Sequence, residues 1–268
     1  MKWGTVETRK GTRCRVLEGG SGAPVVFFHS AGGLLADNPF LDGLAERFHV
    51  FAPEWPGYGD SSGDELLEDM LDFALHGWDL VDALGLGRPH LVGHSMGGMI
   101  AAEMACLAPR DLGRLVLAAP AGLWMDEHPI PDIFALLPFE LAELLFADAQ
   151  KGQALLTGGA DLSDLEALKD FYVASQRRLA MAGKILFPIP NRRLSKRLYR
   201  LAAPTLVLWG AADRLIVPAY AERWKALIPS ARVETIAGAG HMLPYEQPEA
   251  FARAVAAFLD QPSTASST

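Results

Sequence analysis

Leu91-Val92-Gly93-His94-Ser95-Met96-Gly97-Gly98 is the stretch from which the rest of the chain can be read. An apolar strand runs into it, and the helix-forming run Met99-Ile100-Ala101-Ala102-Glu103-Met104-Ala105 leaves it. The pattern is Gly-x-Ser-x-Gly at a strand-to-helix turn. A serine at the apex of so tight a turn needs a sparsely populated backbone conformation, with φ above zero. The residues two before and two after it face each other across the turn, so they must lack bulk. Gly93 and Gly97 meet that demand, and Gly98 lets the helix approach the sheet. The Ser95 hydroxyl then stands clear of the chain, beside the opening amides of a helix, where developing negative charge is favoured. Ser95 therefore reads as a nucleophile, with an ordinary turn as the plainer alternative. His94 is expected to point away from it and to serve as a packed or hydrogen-bonded side chain.

Serine is a weak nucleophile at neutral pH and needs a base, an orienter for the base and donors for an oxyanion. Asp213, in Trp209-Gly210-Ala211-Ala212-Asp213-Arg214-Leu215-Ile216-Val217-Pro218, follows a buried-strand pattern and falls on the same rim as Ser95. It is the candidate orienter; a loop-capping aspartate is the alternative. His241, in Gly238-Ala239-Gly240-His241-Met242-Leu243-Pro244, is the candidate base. His29, His49, His76, His90 and His128 have no comparable setting. The loop His29-Ser30-Ala31-Gly32-Gly33 follows the apolar run Val25-Val26-Phe27-Phe28. Its small residues let the Ala31 N–H pair with the Met96 N–H as a two-donor oxyanion hole.

Working outward, the alternation of strand and helix argues for a parallel sheet with helices on both faces. Residues 2–8 and 12–18 read as an opening hairpin, and 25–28, 50–52, 90–92, 115–119, 205–209 and 233–236 as further strands. Helices are expected at 38–47, 65–84, 220–227 and 248–259. Between about 123 and 201 the strand signal stops; 133–146 and 165–183 are helical in pattern. The basic run Arg192-Arg193-Leu194-Ser195-Lys196-Arg197-Leu198-Tyr199-Arg200 has helical leucine spacing, so it reads as an amphipathic helix with a solvated cationic face. The serine- and threonine-rich tail 261–268 reads as disordered.

The 268 residues suit one large domain carrying an insertion, and 50% hydrophobic residues supply a substantial core. A net charge of −8 argues against a nucleic-acid partner. Cys14 and Cys106 are too few for a disulfide framework and read as small buried hydrophobes. The N-terminus has no apolar h-region, and the most apolar long window, 96–108, contains Glu103 and two adjacent glycines, so no membrane partner is expected. The expected compartment is the cytoplasm.

Gly93-His94-Ser95-Met96-Gly97, Asp213 within Gly-x-x-Asp-x-x-Ile-Val-Pro, and His241 within Gly-x-Gly-His resemble the α/β-hydrolase family, in the family's Ser, Asp, His order. The resemblance covers nearly the whole chain. It implies an eight-stranded, mostly parallel sheet flanked by helices, made from residues 1–122 and 201–260, with a helical cap at 123–200 inserted after the sixth strand. Relatives with this kind of oxyanion loop usually carry His-Gly where this chain has His29-Ser30. Branches with an aspartate nucleophile are disfavoured by Ser95. The activity implied is that of a serine carboxylesterase acting on a small-molecule ester without metal or organic cofactor, as a monomer or homodimer. Ser30, Trp124, Phe134, Phe139, Phe171 and Met242 are candidate pocket walls. A carbon–carbon bond hydrolase of ring-cleavage diketones, an enol-lactone hydrolase and a non-enzymatic ligand receptor are the alternatives. Relatives of the first kind tend to have Asn before the nucleophile and Trp after the base, where this chain has His94 and Met242.

Overall fold

Lys10-Gly11 turns the chain between β1 (Lys2–Glu7) and β2 (Arg13–Gly19), which pair antiparallel from Lys2 opposite Glu18 to Glu7 opposite Arg13. This is the edge of an eight-stranded sheet in a computed structural model of the chain. The structure describes all residues except 137, 159–162, 189–192 and 262–268, and for 138 and 139 the backbone alone. The remaining strands are β3 (Pro24–Phe28), β4 (His49–Pro53), β5 (His90–His94), β6 (Leu115–Ala118), β7 (Thr205–Gly210) and β8 (Arg232–Ile236). Their order is β1-β2-β4-β3-β5-β6-β7-β8, and every pair beyond β2·β4 is parallel. The central strands β5, β6 and β7 are buried almost throughout because both faces of a parallel sheet are covered.

The helices are α1 (Pro39–Ala45), α2 (Met70–Ala83), α3 (Met96–Leu107), α4 (Pro138–Leu145), α5 (Ala149–Thr157), α6 (Leu165–Leu186), α7 (Ala219–Leu227), α8 (Leu243–Glu246) and α9 (Pro248–Leu259). α1 packs on α9, and α2 packs on α3. From β3 the chain moves outward to β4, and from β5 it moves the opposite way to β6. With right-handed crossovers this sends α1 and α3 to opposite faces. The β3·β5 pair is thus a topological switch point, where loops diverge at the carboxyl ends and leave a crevice. Gly93 on β5 lies between Phe28 on β3 and Leu117 on β6, which places the serine turn over that crevice.

Three expectations are corrected. The helix expected from residue 65 begins at Met70. Asp69 caps it by accepting from Leu71 N at 2.9 Å and Asp72 N at 3.1 Å, after a separate 3₁₀ turn at Asp64–Leu66. The basic run forms two 3₁₀ turns, Leu194–Lys196 and Leu198–Arg200, in place of an amphipathic α-helix. Two of its arginines are tied down: Arg197 forms a two-pronged ion pair with buried Glu103, and Arg200 Nε donates to the Cys106 carbonyl at 2.7 Å. Within the stretch between β6 and β7, α4 is shorter than the expected 133–146, and α5 is an additional helix, capped by Asp148 and closed by Gly158. The expectation for the tail lies, beyond Gln261, outside the described residues.

Candidate active site

Ser95 lies between β5 and α3 with φ 54° and ψ −114°, a conformation a side-chain-bearing residue adopts only under constraint. The constraint is visible in the backbone. Ser95 N donates to the Ala118 carbonyl at 2.9 Å, and the Ser95 carbonyl accepts from Met99 N at 3.0 Å and Ala121 N at 3.1 Å. A Cβ at Gly97 would run into the Phe28 carbonyl oxygen, and one at Gly93 into that of Gly97. The two glycines therefore let the turn close over β3.

Asp213 follows β7 and His241 follows β8, and both are buried. Backbone bonds join the two loops: Ala211 N to the Ile236 carbonyl at 3.0 Å and Ala212 N to the Ala239 carbonyl at 2.8 Å. Asp213 Oδ1 accepts from Leu215 N at 3.0 Å and Ile216 N at 2.9 Å, which leaves Oδ2 for His241 Nδ1 at 2.8 Å. The carboxylate can only accept, so Nδ1 carries the proton and Nε2 is free to accept. Nε2 lies 2.8 Å from Ser95 Oγ. The structure thus brings Ser95, His241 and Asp213 into one continuous hydrogen-bonded line.

His94 points across the turn, where its Nε2 donates to the His241 carbonyl at 2.8 Å. Burial and the neighbouring His241 push its pKa down to about 3, so it stays neutral. His29 is another fully buried support. Trp55 N donates to its Nε2 at 3.2 Å, so Nδ1 carries the proton and donates to the Ser30 carbonyl at 2.7 Å. Burial pulls its pKa down to about 4. The next turn is closed by Gly33 N on the Ser30 carbonyl at 3.0 Å, and the Tyr58 hydroxyl lies 3.1 Å from the Ala31 carbonyl. Ala31 lines the same cavity as Ser95. Met96 is the first residue of α3, so its N–H has no acceptor within the helix.

Ser95 and His241 open into a cavity of about 380 Å³ with mostly apolar walls. Of the candidate wall residues, Ser30, Phe134, Phe171 and Met242 line it. Trp124 does not: its indole N–H turns to Asp126 Oδ1 at 2.8 Å. The Phe139 side chain lies outside the described residues. Sequence reasoning missed Met99, Leu145 and Ile216 in the walls, and also Arg178. The Arg178 guanidinium is held by the carbonyls of Gly32 at 3.0 Å and Ala174 at 3.1 Å, and by Ser175 Oγ at 3.5 Å. Nothing in its local sequence distinguishes it from Arg177. Among the described residues, no group of three or more His, Cys, Asp or Glu is placed to hold a metal ion, and no helix is long and apolar enough to cross a membrane.

A family model described as "Alpha/beta hydrolase family" matches residues 25–254, and the chain belongs to that family. The chain is 34% identical over 254 residues to the dihydrolipoyllysine-residue acetyltransferase component of the acetoin cleaving system of Cupriavidus necator; the match covers 90% of this chain and 65% of that one. It therefore spans just under two thirds of that relative's length. It is 29% identical over 277 residues to the 2-hydroxy-6-oxo-6-phenylhexa-2,4-dienoate hydrolase of Comamonas testosteroni, covering 91% of this chain and 90% of the other. Among solved structures, a bacterial membrane phospholipase A superposes with a TM-score of 0.79 at 27% identity, covering 97% of this chain and 86% of that one.

Proposed function

We propose that the protein is a serine hydrolase that cleaves small to medium apolar carboxylic esters through an acyl-enzyme on Ser95. The observation that carries this reading is the Oγ–Nε2 and Nδ1–Oδ2 pair of 2.8 Å contacts opening into an apolar cavity. In this mechanism Nε2 of neutral His241 takes the hydroxyl proton as Oγ attacks the ester carbonyl. Asp213 stabilises the imidazolium, and the Ala31 and Met96 amides hold the oxyanion. The C–O bond to the alcohol breaks as His241 returns the proton to the leaving oxygen. Water, deprotonated by the same Nε2, then cleaves the acyl-enzyme. Residues 123–200 act as a helical cap over the core formed by 1–122 and 201–260, and exclude bulk water from the pocket.

A second reading, hydrolysis of a carbon–carbon bond in an acidic diketone, is favoured by one feature. Arg178 puts a cation in a mostly apolar lining, which suits a substrate carboxylate. The likeness to a dienoate hydrolase points the same way. A panel of p-nitrophenyl esters, lactones and vinylogous diketones separates the two. Efficient turnover of neutral esters is expected; inert esters together with rapid diketone cleavage would replace the ester reading with the second one.

A further inference from the structure

Three consecutive backbone groups around His241 are each held by a different partner. The His241 carbonyl takes the His94 Nε2 proton at 2.8 Å, Met242 N donates to the Leu145 carbonyl at 3.0 Å, and Gly240 N donates to Glu246 Oε2 at 2.7 Å. The Glu246 contact is distinctive because the other oxygen, Oε1, accepts from Ala147 N, also at 2.7 Å. Glu246 is the last residue of α8, the single turn that follows His241, so its side chain folds back onto the loop it has just left. Ala147 belongs to the link between α4 and α5, nearly a hundred residues away. Its neighbour Phe146 accepts from Arg214 at 2.6 Å, and Arg214 adjoins Asp213. Residues 145–147 therefore hold the base loop and the orienter loop together, and one carboxylate bridges Ala147 to Gly240, the residue before His241.

The carboxylate is half-buried. Burial raises its pKa, the amides of Ala147 and Gly240 oppose that rise, and the nearby charged groups are Asp213, which raises it, and His241, which lowers it. Two charge-assisted bonds to backbone amides are the compensation that keeps such a group in place. An acceptor spanning two segments fixes the Ala239–Gly240 peptide immediately before His241, and with it the line from Nε2 to Ser95 Oγ.

We propose that Glu246 is a positioning residue that sets His241 against Ser95 and couples that alignment to the α4–α5 link. The proposal rests on the reading of Ser95 and His241 as nucleophile and base. Saturation kinetics of covalent labelling by an alkyl fluorophosphonate test it, since labelling needs the Ser95–His241 pair but no knowledge of the natural substrate. Glu246→Gln puts an amide N–H against one of the two backbone donors. It is expected to lower the maximal labelling rate by about 10- to 100-fold while the half-saturating probe concentration stays within about 2-fold. A residue that only stabilised the fold would lower the melting temperature and leave the labelling rate of the folded protein unchanged. A folded Glu246→Gln protein that labels at the wild-type rate would overturn the proposal while leaving the nucleophile reading intact. Wild-type protein that does not label at all would overturn both. If Glu246→Gln does not fold, Glu246→Asp reads the same quantity: it keeps the charge but is one methylene too short to span both amides, and a wild-type rate there would equally overturn the proposal.

Discussion

Ser95 Oγ has one proton to give, and His241 Nε2 stands 2.8 Å away to accept it. Ser95→Ala is expected to lower kcat by roughly 10³-fold or more with the fold intact, as steady-state kinetics on a p-nitrophenyl ester will read. His241→Gln removes that acceptor and is expected to abolish most of the activity, and a Gln variant that keeps near-wild-type turnover would identify a different base. Asp213→Asn has a sharper consequence. Oδ1 is committed to the amides of Leu215 and Ile216, so the asparagine must keep its oxygen there and turn its NH₂ toward Nδ1. That favours the tautomer with the proton on Nε2, which cannot accept from serine. A loss of roughly 10²- to 10⁴-fold in kcat is expected, and a negligible loss would send the search for the orienter elsewhere, first to Asp126.

At the scale of elements, the sheet was the most legible part. Val25 to Phe28, Leu91-Val92 and Leu206 to Trp209 are uninterrupted apolar runs because both faces of the sheet are covered. Ser95, Asp213 and His241 stood out because their loops are rich in small residues and each follows a strand. What was hidden depends on partners distant in sequence. The helical spacing of the basic run is real, yet Arg197 is drawn to Glu103 on α3 and the backbone closes into 3₁₀ turns. Glu246 and Arg178 matter through contacts roughly a hundred or more residues away, with Ala147 and Gly32, which no local pattern announces. Trp124 looked like a pocket wall from its place in an apolar stretch, until Asp126 took its N–H. The Glu103–Arg197 pair makes its own prediction. The carboxylate is almost wholly buried while the guanidinium is partly exposed, so Arg197→Ala strands a buried charge. It is expected to destabilise the protein by about 3 kcal/mol in urea unfolding, more than the double variant in which Glu103 becomes Gln as well.

For the molecule as a whole, burial of neutral histidines contributes to acid sensitivity. His29 and His76 are held down to about 4 and His94 to about 3, against an ordinary value near 6.5, in each case chiefly by burial. Between those values the unfolded chain binds protons at these histidines that the folded one refuses, so their contribution to stability falls as pH drops from about 6.5 toward 4. His76 contacts Thr12 and Cys14, away from the cavity lining. His76→Gln is expected to flatten that fall by up to about 1.4 kcal/mol per pH unit in urea titrations at pH 7 and pH 5, and an unchanged slope would contradict the assignment. The cavity of about 380 Å³ sets the substrate limit. Each buried methylene contributes up to about 0.8 kcal/mol until the cavity is full, so kcat/KM for p-nitrophenyl esters is expected to peak between acetate and octanoate. Emulsified long-chain triglycerides are expected to be poor substrates, and shortening the stretch 133–146 to flatten the preference. Passage of the acyl group through Ser95 can be followed by rapid-quench mass spectrometry of the protein mixed with p-nitrophenyl butyrate. An acyl adduct is expected on the peptide containing Ser95, forming with the nitrophenolate burst, decaying at the turnover rate and absent from Ser95→Ala. Nitrophenolate released at the same rate by Ser95→Ala, or a steady turnover with the acyl group on another residue, would contradict it.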